Sequence, residues 1–244
     1  MKKQHSFLWI SGWSLTSDMW KPFIKKWPNV HHHSLSFENC KTVEQIEEHA
    51  VQIFQKIEHK PVIIIGWSLG AMITLQLALQ YPKQINHLFL IAGVSSFIRT
   101  KHHKFGWHEL AIKRMKKQLD RDVHQTIRLF DQTMFTQHEK LSGCEEEWHK
   151  EMRENIPSVS SLQAGLDYLQ QFSFDEHTKF IHTPVSLLSG EKDEICSLNS
   201  TQYLANQLAS STHSVWKETG HACFYTNQEK FHQWIQEGLP HAGE

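Results

Sequence analysis

Short apolar runs alternate with amphipathic stretches along most of the chain, a rhythm that predicts parallel strands joined by crossover helices. Strands are expected over residues 7–10, 33–37, 62–65, 88–92, 185–189 and 214–217. The run Val62-Ile63-Ile64-Ile65 is apolar on both faces, as a central strand covered by helices on each side must be. Pro61 lacks an N–H for the ladder and fits only at the start of that strand. Helices fit between the strands. Residues 43–59 carry Val43, Ile46, Ala50, Ile53, Phe54 and Ile57 at helical spacing. Residues 71–80 form a second helix that stops before Pro82, and residues 227–238 a last one, with Phe231, Trp234 and Ile235 on one face and Gly238 at its end.

From residue 95 to 179 the rhythm breaks. This stretch shows helical periodicity and no strand pattern, and its longest expected helix aligns Ile112, Met115, Leu119, Val123, Ile127, Phe130 and Met134 in one apolar stripe. Thr183-Pro184-Val185 restarts the strands. The expected organisation is a core of residues 1–94 and 180–244 with a helical cap, 95–179, inserted between two core strands.

Composition narrows the class. The 244 residues suffice for one sizeable core. With 39% hydrophobic and 21% charged residues the chain reads as globular. A formal net charge of -1 provides no global pull toward nucleic acid or an anionic membrane. The apolar run near the N-terminus is too short for a signal-peptide core, and no stretch reaches spanning length. Cys40, Cys144, Cys196 and Cys223 lack CxxC spacing and read as inert thiols, so a cytoplasmic protein is expected.

The sharpest chemical signal is Gly66-Trp67-Ser68-Leu69-Gly70, a G-x-S-x-G pentapeptide placed between an apolar strand and a helix. A nucleophile on so tight a turn needs small neighbours, which Gly66 and Gly70 supply. The helix that follows points its positive end at a developing oxyanion. The bland alternative is a glycine-rich turn whose serine merely caps the helix. A serine hydroxyl also needs a base and an orienting acid, in chain order Ser, acid, His. With 19 histidines present, position must select among them. His221 follows the last expected strand, next to Gly220, where the base belongs. Asp193 follows the strand 185–189 in Gly190-Glu191-Lys192-Asp193, with Glu191 and Glu194 as rival carboxylates. The backbone N–H groups of Leu69 and of Trp13, in the loop Ser11-Gly12-Trp13-Ser14, are the expected oxyanion donors.

On these residues the chain resembles the α/β-hydrolase superfamily and, more narrowly, the pimeloyl-acyl-carrier-protein methyl ester esterases of biotin synthesis. The matching pieces are Ser11-Gly12-Trp13-Ser14-Leu15, the elbow with its Trp67, the segment 110–134 ending in Phe130-Asp131-Gln132-Thr133-Met134, and residues 162–169. The family usually has His-Gly before the loop tryptophan where this chain has Ser11-Gly12, and its N-terminal strand pair is expected to be shortened or missing here. The resemblance implies an α/β-hydrolase fold: a mostly parallel central sheet of about six strands flanked by helices, with an inserted helical cap. It further implies a serine esterase without cofactor, with Trp13, Leu69, Phe130, Gln132 and His221 at the acyl group. Its substrate would ride on an acyl carrier protein, which the basic residues Lys113, Arg114, Lys116, Lys117, Arg121 and Arg128 would dock. Without the resemblance, that charge run reads as a solvated face.

Other readings stay open. The same triad would serve a general short-chain carboxylesterase or a carbon–carbon bond hydrolase. A ligand-binding receptor on a hydrolase scaffold is the non-enzymatic alternative, expected to show a damaged triad. His31-His32-His33 invites a metal, but consecutive strand residues face opposite ways, and no HExxH or Cys/His ligand spacing accompanies them. No phosphate-binding glycine loop is present.

Overall fold

The computed structural model describes residues 6–101 and 103–240. Six strands form one parallel sheet in the order β2-β1-β3-β4-β5-β6. They are β1 (Ser6–Ile10), β2 (His31–Leu35), β3 (Val62–Trp67), β4 (Ile85–Ile91), β5 (Val185–Gly190) and β6 (Ser211–Trp216). The α/β class and all six expected strands are present. The central strands lie where their apolar runs put them. The edge strands β2 and β6 begin two and three residues earlier than expected, at His31 and Ser211. Each has one neighbour and a polar outer side, so its apolar pattern is too weak to fix an end.

Eleven helices are described: α1 (Lys21–Ile24), α2 (Val43–Gln55), α3 (Leu69–Gln80), α4 (Glu109–Arg121), α5 (Val123–Met134), α6 (Gln137–Leu141), α7 (Cys144–Met152), α8 (Val159–Gln171), α9 (Leu198–Gln207), α10 (Cys223–Thr226) and α11 (Gln228–Gly238). Neighbouring β4 residues show how the layers form. Phe89 meets Trp234 of α11, ring centroids 5.1 Å apart. Leu90 faces the other way, toward Gly93, which a side chain would press against Leu90, Ala71 of α3 and Leu204 of α9. Alternation along the strand thus places helices on both sides of the sheet. α3 is buried along nearly its whole length, which explains why its sequence is apolar all round.

Helices α4 to α8 all lie between β4 and β5. The two ends of this insertion are tied together, since Phe174 donates its N–H to the Ser95 carbonyl (2.7 Å) and Ser96 bridges Ser173. The single long helix expected across residues 112–134 is instead two. Asp122 has an extended backbone (φ -156°) and its carboxylate accepts the Gln125 N–H at 2.9 Å, capping α5. The basic residues are split accordingly, with Arg128 on α5 and the other five on α4. Two of those five are already paired: Lys113 with Glu109 (2.7 Å) and Lys116 with Asp167 of α8 (2.5 Å). Among the described residues no helix is long and apolar enough to cross a membrane.

Candidate active site

Ser68 sits between β3 and α3 with φ 55° and ψ -116°, a conformation that L residues rarely adopt and that costs about 1–3 kcal/mol. The surroundings enforce it. The Ser68 N–H donates to the Ile91 carbonyl at 2.9 Å, and its own carbonyl accepts from Ala71 at the same distance. A side chain at Gly66 would run into Thr74 and the Gly70 carbonyl, and one at Gly70 into the Ile10 carbonyl. Both glycines are therefore required by close backbone approach. Leu69 opens α3, so its N–H has no acceptor within the helix and is free to serve a ligand at that end.

The loop after β5 turns Asp193 inward. One carboxylate oxygen of Asp193 accepts the N–H groups of Ile195 (2.8 Å) and Cys196 (2.9 Å), leaving the other for Nδ1 of His221 at 2.8 Å. Both side chains are essentially inaccessible to solvent. With Nδ1–H donated to the carboxylate, Nε2 of His221 is left as the accepting nitrogen, the tautomer a general base needs. The rival carboxylates are engaged or turned elsewhere. Glu191 accepts the Glu218 N–H at 3.1 Å, and Glu194 is exposed.

Trp67 joins the elbow to the histidine. Its ring lies 5.1 Å from the His221 ring, and its Nε1–H donates to the His221 carbonyl at 3.2 Å. A side chain at Gly12 would meet the same indole at 2.7 Å, so the loop after β1 rests on it too. The structure therefore gathers the loops bearing Trp13, Ser68 and His221 around one tryptophan.

Trp13 packs edge-on to Phe130 of α5, centroids 4.8 Å apart, and its indole N–H donates to the Leu162 carbonyl at 2.8 Å. Gly165 completes this patch, because a side chain there would sit 2.6 Å from Trp13 and 3.6 Å from Leu69. Trp13, Leu69 and Phe130 are thus neighbours. Gln132 is roughly 200° further round α5 than Phe130 and lies on another face. Ser68 is 6% exposed and His221 1%.

Burial, reinforced by the Asp193 charge, pushes the thiols of Cys196 and Cys223 well up. Both stay protonated and unreactive, leaving the Ser68 hydroxyl as the nucleophile candidate. The histidine run is absorbed structurally. His32 accepts the Trp9 indole N–H at 3.0 Å and donates its other N–H to the Trp27 carbonyl at 2.8 Å, while His31 stacks on His59. Among the described residues no group of three or more His, Cys, Asp or Glu side chains is arranged to hold a metal ion.

Several residues that shape this site carry no motif. The buried Asp131 and Glu139, with Arg153, whose side chain is largely covered, tie the insertion to the site loops. Glu139 had a readable signal, the T-x-x-E capping box Thr136-Gln137-His138-Glu139. The Asp131–Arg153 pair had none.

A family model described as alpha/beta hydrolase fold matches residues 31–228. Among curated proteins, the chain is 24% identical over 236 residues to a pimeloyl-acyl-carrier-protein methyl ester esterase of Nitrosomonas europaea, covering 91% of this chain and 90% of that protein. It is 23% identical over 242 residues to the protein of the same name from Vibrio vulnificus, covering 91% and 89%. Among solved structures, an esterase from Exiguobacterium antarcticum superposes with a TM-score of 0.84 at 15% identity, covering 97% of this chain and 92% of that one. A bromoperoxidase from Bacillus anthracis gives 0.83 at 13% identity, covering 96% and 91%. These superpositions establish the shared fold.

Proposed function

The chain belongs to the α/β-hydrolase fold family, and from that premise we propose that it hydrolyses a carboxylic ester through an acyl-enzyme, with Ser68, His221 and Asp193 as its triad. The observation that carries this reading is the buried 2.8 Å bond that His221 Nδ1 donates to Asp193, with the His221 ring packed on Trp67, the residue that precedes the serine of the strained elbow. Ser68 Oγ attacks the ester carbonyl while His221 Nε2 takes its proton. The amides of Trp13 and Leu69 hold the oxyanion. His221 then returns the proton to the departing alcohol oxygen, which leaves as the free alcohol. Water activated by the same nitrogen releases the acid and regenerates Ser68. Asp193 fixes the imidazole tautomer and stabilises its charged form.

Residues 95–179 act as the cap over this site, with Trp13, Leu69 and Phe130 lining the acyl path. The substrate we favour is the methyl ester of a pimeloyl group on acyl carrier protein, releasing methanol. The names of the curated relatives support it, as do the exposed cations Arg114, Lys117 and Arg121, spaced three and four residues apart on one side of α4. An acidic carrier would meet that stripe, with a gain chiefly in association rate.

Ser68→Ala is expected to abolish acyl-enzyme formation and fluorophosphonate labelling, with a loss of at least roughly 10⁴-fold in kcat, while unfolding as the wild type does. Full esterase activity in that variant would reject the mechanism. Restoration of biotin-independent growth to a strain lacking its pimeloyl ester esterase tests the substrate. Failure there, with simple esters still cleaved, would favour a general carboxylesterase.

A further inference from the structure

The proposed triad leaves unexplained a buried carboxylate next to it. Glu139, on α6, is 5% exposed. A carboxylate at the start of a surface helix ordinarily satisfies the helix cap and keeps its remaining lone pairs in water. Burying it without partners would cost several kcal/mol. Glu139 does close the capping box, its Oε2 accepting the Thr136 N–H at 2.8 Å. Its other two bonds leave the helix. Oε2 also accepts the Gly220 N–H at 3.1 Å, and Oε1 accepts the Thr226 hydroxyl at 2.8 Å.

Those two partners bracket His221. Gly220 immediately precedes it, and Thr226 closes the short helix α10 that follows it. The corner between α5 and α6 completes the grip, since the Met134 carbonyl accepts the His221 N–H at 2.8 Å. No side chain fits at Gly220, where a Cβ would press on that Met134 carbonyl and sit 3.2 Å from Glu139 Oε2. The loop that carries the base is therefore hydrogen-bonded to the insertion on both sides, whereas the imidazole is oriented by the core through Asp193.

We propose that Glu139 is a positioning residue for His221, holding the base loop from both ends so that the imidazole stands in its reactive place. This rests on the reading of His221 as the general base. Glu139 bonds to the loop rather than to the reacting atoms, so its effect must pass through the histidine. A displacement of about 1 Å at a reacting group can cost on the order of 100-fold in rate, so losing the clamp should appear in kcat and hardly in KM.

The experiment measures steady-state hydrolysis of a small aryl ester, with thermal unfolding, for E139A, E139Q, T226V, H221A and E139A/H221A. E139A is expected to lower kcat by about 10- to 100-fold with KM within about threefold. E139Q, whose amide oxygen can take the two N–H groups while its NH₂ donates to Thr226, should recover most of that loss. T226V keeps the capping box intact and should still lower kcat, by about three- to tenfold, with the melting temperature little changed; it decides the matter if E139A fails to fold. In the H221A background the E139A change should cost less than about twofold, because the residue it positions is gone. A full kcat in T226V, or an E139A loss that persists undiminished without His221, would overturn the proposal and leave Glu139 a helix cap. H221A with wild-type hydrolysis would instead remove the triad reading itself, a different outcome from the first.

Discussion

Arg153 offers the most direct test of how the insertion is fastened. Its side chain is 6% exposed and pairs bidentately with Asp131, which is 0% exposed: Nε donates to Oδ2 at 2.7 Å and Nη2 to Oδ1. The same guanidinium donates to the Ser14 carbonyl at 2.6 Å and to the Ser14 hydroxyl at 3.1 Å. Ser14 has φ 67° and directly follows Trp13, so the arginine braces the proposed oxyanion turn in a conformation it would not choose alone. R153M keeps most of the volume but leaves the Asp131 carboxylate buried, with only His149 Nδ1 near it at 3.5 Å. Breaking a buried pair from one side costs about 3–5 kcal/mol. At roughly 2–4 °C per kcal/mol for a chain of this size, the melting temperature should fall by about 6–20 °C. The double variant R153M/D131L removes both charges and should regain most of that stability. It cannot restore the donors to Ser14, so kcat should stay depressed, by at most the 10²- to 10³-fold that an oxyanion donor is worth. Calorimetry and pre-steady-state release of an aryl alcohol read the two effects separately. A melting temperature for R153M within about 2 °C of wild type would refute the energetic argument. Wild-type kcat in the double variant would refute the link to the oxyanion turn.

Two further outcomes follow from the core. G70A should destabilise by about 1–3 kcal/mol or more and slow acylation, because the added methyl meets the Ile10 and Ser11 carbonyls, which are backbone and cannot swing aside; urea unfolding and fluorophosphonate labelling rates would show it. Burial lowers the pKa of His87 from 6.5 to about 4, with the Ser186 hydroxyl 2.9 Å from its Nε2. Between those values the unfolded chain takes up a proton that the folded chain refuses, so stability present above pH 6.5 drains away as pH falls toward 4, by at most about 3 kcal/mol. H87Q should flatten that part of the pH–stability curve, and an unchanged slope would show that His87 is not its source.

What the sequence reveals depends on whether a residue's constraint is local. The run Val62–Ile65 can only be a central strand, and the glycines on either side of Ser68 can only mark a turn with no room for side chains, so β3, the elbow and α3 are legible together. The candidates Asp193 and His221 are selected by their places after β5 and β6, although three carboxylates lie within four residues, and the structure puts the Asp193 carboxylate on the imidazole. The edge strand His31–Leu35 is blurred because its histidines serve side-chain contacts to Trp27 and His59 rather than an apolar pattern. The split at Asp122 was hidden by an apolar stripe that continues in phase across it. Its signal was the N-cap aspartate itself, which periodicity alone does not weigh. Arg153 bonds to Ser14 across 139 positions, and no local rule anticipates such a pair.

These long-range contacts converge on one turn of α5. Phe130 packs on Trp13, Asp131 holds Ser14 through Arg153, and the Met134 carbonyl takes the His221 N–H, with Glu139, beyond the corner on α6, completing the hold on the His221 loop. Residues 130, 131 and 134 share one helix face by their spacing, so the loops bearing Trp13 and His221 are fastened to a single segment. Ser68 is 6% exposed. A shift of α5 then pulls on both loops at once, whereas a shift confined to α4, which carries the cationic stripe and contacts neither loop through these bonds, leaves them in place. Packed elements of this kind move between discrete arrangements rather than bending continuously. The last turn of α5 is therefore the part of the insertion on which the placement of both loops depends.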